Sequence, residues 1–361
     1  MHRTRRIFAL AAVALLPLSG CVPGAADPDL DDNGWVDGHD VEIVTACTGQ
    51  NPATNPACAI ADVDGNGVVD GNDVFALGPD FGKRVCNGSV ALCDRRYDQV
   101  SYPTAHNAFS TFARYGIYFN QWDDMPVQLA HGIRGFMLDA WYFDGNGNGT
   151  IEPTETYLCH ADCTKGHRPL DEGLGDLRAF LDARPGEVLT IIFESYVTPA
   201  DVASAFDRSG LTTYALPHAP GTPWPTLREM IESGKRLVVL TDDGRTPAPP
   251  WHVYVWAVAW ETHFTAFSRS DFSCNRNRGL ASNELFILNH FLTQNASVPA
   301  EAPITNADPY LVERARECWR ESGSFPNYPT VDFATTGDVV EAARLLNADW
   351  GAGGGQPPPA P

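Results

Sequence analysis

From about Tyr97 onward, short apolar runs alternate with helical patterns, and that alternation limits the architectures open to the chain. The apolar runs cover 135–141, 188–193, 237–240, 285–288 and 330–333, and the helical patterns include 125–131, 174–183, 199–208, 224–233 and 338–346. Runs without polar alternation suit strands buried on both faces, as in a parallel sheet covered by helices. Over roughly 250 residues the pattern predicts an α/β fold of the (β/α) TIM-barrel type. An open doubly wound sheet is the other candidate, but no glycine-rich nucleotide loop supports it. Thr198-Pro199-Ala200-Asp201 reads as a capping box with proline at the first helical position, and Asp338 is placed to start the last helix.

The formal net charge is −20, which argues against a nucleic-acid partner because phosphate backbones need a basic footprint. Much of the acid lies in Asp-rich loops, which points to bound cations. The amino end reads as an export signal: Arg3, Arg5 and Arg6 precede an apolar run over 7–18. Leu18-Ser19-Gly20-Cys21 then resembles a bacterial lipobox. That resemblance implies that residues 1–20 are a signal peptide cleaved before Cys21. The Cys21 thiol would carry a lipid, with 21–26 as linker, in an exported bacterial lipoprotein anchored at the cell envelope. The chain has nine cysteines, so eight remain without Cys21. Their order suggests Cys47–Cys58, Cys86–Cys93, Cys159–Cys163 and Cys274–Cys318 bridges in an oxidising compartment, although spacing alone does not fix connectivity.

Residues 27–85 contain an internal repeat. Its first copy places Asp29, Asp31, Asn33, Asp37 and Asp40 at loop positions 1, 3, 5, 9 and 12. The second places Asp62, Asp64, Asn66, Asp70 and Asp73 at the same positions. Each has glycine at position 6 (Gly34, Gly67), the spacing with which a loop wraps Ca²⁺. The pair resembles a type I dockerin, which implies a cohesin-like partner. The plainer alternative is a Ca²⁺-stiffened spacer. A third loop, 144–155, carries Asp144, Asn146, Asn148 and Glu155 in the pattern of an EF-hand loop. Residues 86–350 then form the barrel, and 351–361 are a Gly/Pro-rich tail read as disordered.

His106-Asn107 closes a short β-rich stretch, and His160 lies between Cys159 and Cys163. Two histidines on separate strand ends suit phosphodiester cleavage: one takes a proton from the attacking hydroxyl and the other protonates the leaving oxygen. A cation must then offset charge on the phosphoryl oxygens. Five segments in register resemble the phosphatidylinositol-specific phospholipase C X-domain family, in the form found in X-domain-containing proteins of plants and bacteria. They are His106-Asn107, the string 128–139 ending Met137-Leu138-Asp139, Cys159-His160, the run 188–194 ending in Glu194, and 326–333 with Asp332.

The resemblance implies attack by an inositol 2-hydroxyl, with His106 as base or transition-state stabiliser and His160 as acid. Asp332 aligns with the acid that orients the first histidine in the family's metal-free branch. Asp139 stands where that branch keeps an arginine and where the Ca²⁺-dependent branch keeps a ligand aspartate. Asn107 and Glu194 match two further ligands, so Ca²⁺ is the implied cofactor. Met137 occupies the place of another ligand glutamate, as it does in the plant-type relatives. His131 and Arg134 read as packing or local hydrogen-bonding groups, and Lys165, His167 and Arg168 as a solvated loop or a phosphate contact. The implied partner is a phospholipid or inositol phosphodiester. A glycerophosphodiesterase on a similar barrel is a second reading, although that family's His-Arg-Gly is here His106-Asn107-Ala108. A non-catalytic, Ca²⁺-dependent surface docking lipoprotein is a third.

Overall fold

The computed structural model describes residues 27–293 and 297–360, so residues 1–20, read as an export signal, and Cys21 lie outside the described residues. The strands in chain order are β1 (Thr104–Ala105), β2 (Gly135–Tyr142), β3 (Thr156–Leu158), β4 (Arg168–Pro169) and β5 (Leu189–Ser195). They continue with β6 (Leu237–Thr241), β7 (His252–Tyr254), β8 (Ala259–Glu261), β9 (Leu285–Asn289) and β10 (Tyr328–Val331). Eight of them form one parallel sheet in the order β7-β6-β5-β2-β1-β10-β9-β8. β3 and β4 make an antiparallel hairpin attached to β2. The first and last strands are therefore neighbours: Thr104 pairs with both Gly135 and Thr330. The approach of β1 to β2 is close enough that a Cβ on Gly135 would lie 2.2 Å from Thr104 Oγ1, which makes glycine obligatory there.

The helices are α1 (Gly38–Cys47), α2 (Gly71–Leu77), α3 (Phe112–Tyr115), α4 (Met125–Ala130), α5 (Leu170–Ala183), α6 (Pro199–Ser209), α7 (Leu227–Ser233), α8 (Ala302–Thr305), α9 (Tyr310–Ser322) and α10 (Val339–Gly353). α5 buries Leu170, Leu174, Leu177 and Leu181, the i/i+3/i+4 stripe of an amphipathic helix, in the main core with Phe136, Leu138, Ile191 and Phe193. Each such leucine contributes about 2 kcal/mol by burial. The α/β barrel expectation holds, with two departures. No α-helix intervenes between β6 and β9, where loops and single 3₁₀ turns make the links. The ladder is also open between β7 and β8, the two edges of the sheet. α9 was not among the expected helices, although Leu311, Val312, Ala315, Cys318 and Trp319 fall on one face and are buried.

Thr198 does cap α6, accepting from the Asp201 N–H, and Pro199 follows it. The reciprocal half of the box is absent: the Thr198 N–H donates to the Tyr142 hydroxyl at 3.0 Å. Asp338 stands at the start of α10, but its carboxylate accepts from the Asp308 N–H at 2.9 Å rather than from its own helix. α10 itself continues to Gly353 and closes on Gly354 in the left-handed conformation. All four suggested disulfides are present.

Residues before the barrel gather a small core of their own from Leu30, Val36, Val44, Ala61, Val69 and Leu77. It abuts the amino-end face of the barrel. There Asn87 exchanges side-chain hydrogen bonds with the Val188 backbone at 2.7 and 3.1 Å, and Arg184 pairs with Asp32. On the same face Arg134 makes a two-pronged pair with Glu187 (2.6 and 2.9 Å), and it also donates to the carbonyls of Leu129 and Ile133. Both side chains are largely buried, so removing one strands the other's charge. Arg134→Met is expected to cost about 3 kcal/mol in urea unfolding, and adding Glu187→Leu should recover most of that loss. A single variant with wild-type stability would show that the pair is solvated.

Candidate active site at the carboxyl ends of the strands

In a parallel barrel every strand delivers its last residue to one face. β1 ends at Ala105 and is followed by His106; β10 ends at Val331 and is followed by Asp332. His106 Nδ1 lies 2.8 Å from Asp332 Oδ1. Because a carboxylate accepts, the imidazole proton sits on Nδ1, and Nε2 has no partner among the described residues. Asn120 Nδ2 also donates to Asp332 Oδ1 at 3.0 Å, and Asn107 Nδ2 donates to Asn120 Oδ1 at 3.3 Å. Gln121 Nε2 holds the His106 carbonyl at 2.7 Å. The Phe291 ring stacks on the imidazole with centroids 3.8 Å apart and planes 6° from parallel. The first histidine is thus fixed on every side but one.

The residues that follow His106, His160 and Asp332 all take positive φ without being glycine: Asn107 at 43°, Ala161 at 62° and Phe333 at 55°. Each such residue costs about 1 kcal/mol or more and persists only where its surroundings dictate it. Asn107 is kept in place by the Ala108 N–H donating to the Met137 carbonyl at 3.0 Å, and Phe333 by its N–H donating to the Asn120 carbonyl at 2.8 Å. Three sharp corners therefore aim three side chains at one end of the barrel.

A row of carboxylates lies beside them. Asp139 on β2 is the register partner of Glu194 on β5, and Asp242 follows the Phe193–Thr241 pair of β5 and β6. Burial, then the charges of Glu194 and Asp242, push the Asp139 carboxyl well above the usual carboxylate range. Asp242 is raised as well, chiefly by burial, although its Oδ1 accepts from the Ser195 N–H at 2.8 Å. Glu194 Oε1 accepts from the Tyr196 hydroxyl, and the Tyr196 ring lies on Trp141 with centroids 3.6 Å apart. The Asp139 side chain, 8% exposed, accepts no hydrogen bond among the described residues. The Asn107 amide oxygen is likewise left over when its nitrogen donates to Asn120. Three carboxylates and an amide, with Asp139 largely buried and given no donor among the described residues, have the all-oxygen donor chemistry that suits a hard cation such as Ca²⁺.

His106, Asn107, Asp139 and Glu194 line one pocket of about 130 Å³, with Met137 on its wall. Asp332 stands behind His106 rather than in the pocket. His160 stands on the rim: it does not line the pocket, but it feels the charges of His106, Asp332 and Glu194. Its Nδ1 lies 3.1 Å from the Tyr118 carbonyl, so that nitrogen carries the proton. Burial holds the His160 pKa below the ordinary histidine value. A larger cavity of about 450 Å³ opens on the opposite face, beside Pro103 and Arg134, and no histidine lines it. The barrel rule and the chemistry both favour the smaller one.

The sequence reading passed over several residues of this pocket. Asp242 closes an apolar run just as Glu194 does, and the same logic would have singled it out. Glu261, 3% exposed, accepts from Arg278 Nε at 2.6 Å, Asn277 Nδ2 at 3.0 Å and Asn289 Nδ2 at 3.0 Å. The Arg278 guanidinium lies 4.4 Å from the Trp256 ring centre and 5.0 Å from that of Phe264. Asn120 and Phe291 carried no signal, since each acts only through a partner distant in sequence. His131 and Arg134 are elsewhere, at the amino-end entrance of β2. His167 packs on Phe143 and Tyr157, and Arg168 pairs with Asp176 at 2.7 Å.

The loop ligands lie apart from the pocket. Carboxylate oxygens of Asp29, Asp31 and Asp40 come within 4.8 Å of one another, and so do those of Asp62, Asp64 and Asp73. Asp37 and Asp70 instead cap α1 and α2, and each helix closes a capping box with Asp40 or Asp73. Burial pushes the Asp29 carboxyl up to about 7. Asn33 and Asn66 lie inside the two loops and bond to Asp31 and Asp64. In the third loop Asp144 accepts from the Asn148 and Gly149 N–H groups, and Asn146 Nδ2 bonds to Glu155.

The chain is 29% identical over 284 residues to "PI-PLC X domain-containing protein 1" of Arthroderma benhamiae, covering 73% of this chain and 89% of that protein. It is 27% identical to a PI-PLC X domain-containing protein of Arabidopsis thaliana, over 70% of this chain and 62% of that one. An "Uncharacterized secreted protein" of A. benhamiae is 28% identical, over 74% and 65%. A solved variant of the phosphatidylinositol-specific phospholipase C from Staphylococcus aureus aligns with a TM-score of 0.48 at 13% identity, covering 71% of this chain and 93% of that one. Residues 92–347 match the PI-PLC X family model, and the chain belongs to that family.

Proposed function

We propose that the protein is an exported phosphodiesterase that cleaves an inositol-type phosphodiester by paired-histidine acid–base chemistry. The observation that carries this reading is the His106–Asp332 pair at two strand ends, opening onto the in-register carboxylates of β2 and β5. Asp332 holds the imidazole so that Nε2 faces the reaction as a base, and it stabilises the imidazolium once the proton arrives. The substrate's 2-hydroxyl attacks phosphorus as His106 Nε2 takes its proton. The bond from phosphorus to the lipid oxygen breaks as His160 Nε2 gives that oxygen a proton. The products are a cyclic phosphate and a diacylglycerol. Ca²⁺ held by Asn107, Asp139, Glu194 and Asp242 would offset charge on the phosphoryl oxygens. On this reading Asp242 takes the ligand place that Met137 leaves vacant. The twin loops at 29–40 and 62–73, and the loop at 144–155, are proposed as separate structural Ca²⁺ sites. Four disulfides support function in an oxidising compartment, with the membrane anchor proposed on Cys21.

His106→Ala and His160→Ala are each expected to lower kcat on phosphatidylinositol by about 10²- to 10⁴-fold while the circular dichroism spectrum is retained. Wild-type turnover by either variant refutes the assignment. A headgroup panel that finds glycerophosphodiesters preferred would point to the alternative chemistry. Asp139→Asn and Asp242→Asn should each raise the Ca²⁺ concentration needed for half-maximal activity, read by titration from chelated enzyme. The pH profile follows from His160: a depressed pKa leaves it mostly neutral at pH 7, and the proton donor accumulates only as pH falls towards that value. Turnover is therefore expected to peak on the acid side of neutrality. An optimum above pH 8 would mean that His160 is not the donor.

A further inference from the structure

The two histidines are held by different means. His106 has a carboxylate, a stacked ring and a side-chain amide on its carbonyl. Among the described residues the His160 side chain makes one hydrogen bond, to the Tyr118 carbonyl, and has no carboxylate partner. It lies in the loop between Leu158 and Arg168, which are paired across the β3–β4 hairpin. Within that loop Cys159 and Cys163 close a small ring around it, with Cα atoms 5.0 Å apart.

One end of the ring is tied to the barrel wall and the other to the hairpin that carries it. The Cys159 N–H donates to the Asp139 carbonyl on β2 at 3.2 Å. The Cys163 carbonyl lies 3.0 Å from His167 Nδ1, whose ring packs on Phe143 and Tyr157. Inside the ring the Asp162 N–H donates to the His160 carbonyl at 2.7 Å, and Ala161 is forced to a φ of 62°. A left-handed alanine between two free cysteines would relax, and the imidazole would swing with it. We propose that the Cys159–Cys163 disulfide is the positioning element for His160, taking the part that Asp332 takes for His106. The inference rests on the reading of His160 as the proton donor.

The test compares two inositol phosphodiesters, one with an alkyl leaving alcohol and one with a nitrophenol, which leaves without needing a proton. Wild type, His160→Ala, the Cys159→Ser/Cys163→Ser double variant and a Cys47→Ser/Cys58→Ser control are assayed on both. The cysteine double variant should lose about 10- to 100-fold in kcat on the alkyl substrate, with little change in KM. Its nitrophenyl turnover should stay within about threefold of wild type, which also reports that the pocket is folded. The control should keep the wild-type ratio between the two substrates. Full alkyl turnover in the Cys159/Cys163 variant overturns the inference. So does an equal loss on both substrates, which would make the bond a brace for the fold alone. Unchanged alkyl turnover in His160→Ala removes the donor assignment itself, and this inference falls with it.

Discussion

Parallel register is the constraint from which the site follows. Residues paired across a parallel ladder stand side by side, so Asp139 and Glu194 have no choice but to be neighbours once β2 and β5 pair. The next residue past the β5–β6 pairing adds Asp242. Three acids in a row at a half-buried rim repel one another, and nothing in the fold compels such an arrangement for stability. The barrel sets them there as a by-product of strand order. The positive-φ corners after β1 and β10 and at Ala161 then add the imidazoles and Asp332. Stability and chemistry draw on opposite ends of the same strands: Arg134–Glu187 and the Arg184–Asp32 contact with residues 27–85 brace the amino ends, and the carboxyl ends bear the strain.

Much of this was legible in the amino-acid sequence because the signals were local. Uninterrupted apolar runs marked β2, β5, β6 and β9 to within two or three residues at either end. β10 lies slightly upstream of its expected span because Tyr328 and Pro329 open it, and proline is a poor herald of a strand. β7 and β8, of three residues each, are too short for periodicity to register. No helical pattern is read between β6 and β9 and no α-helix forms there, in a stretch that carries Pro247, Pro249 and Pro250 and several aromatic residues. The site was legible in its own way. His106, Asn107, Asp139, Glu194 and Asp332 end apolar runs, where a polar residue needs a reason to be present. Asn120, Phe291 and Arg278 lie in loops, and only three-dimensional proximity gives them a role.

The unpaired edges β7 and β8 deserve comparison with the rest of the sheet. Both are short, which limits the exposed row of backbone donors and acceptors that an edge presents to other chains. The segment between them supplies Val255 and Trp256 to the pocket wall. The paired strands supply Met137 and Asp139 from β2 and Ile192, Phe193 and Glu194 from β5. The pocket is therefore bounded by paired strands on one flank and by a loop-built seam on the other.

The placement of β1 between β2 and β10 has a consequence for how the protein is made. The acid that orients His106 lies 226 residues further along the chain. Three of the disulfides join cysteines only 11, 7 and 4 residues apart, so each can close within its own segment. The His106–Asp332 pair has no such head start and forms only once β10 has slotted beside β1. The short-range bridges are thus local constraints, whereas the His106–Asp332 pair depends on the completed ladder. Any break that leaves β10 out of the sheet removes the partner of His106 while leaving those three bridges intact.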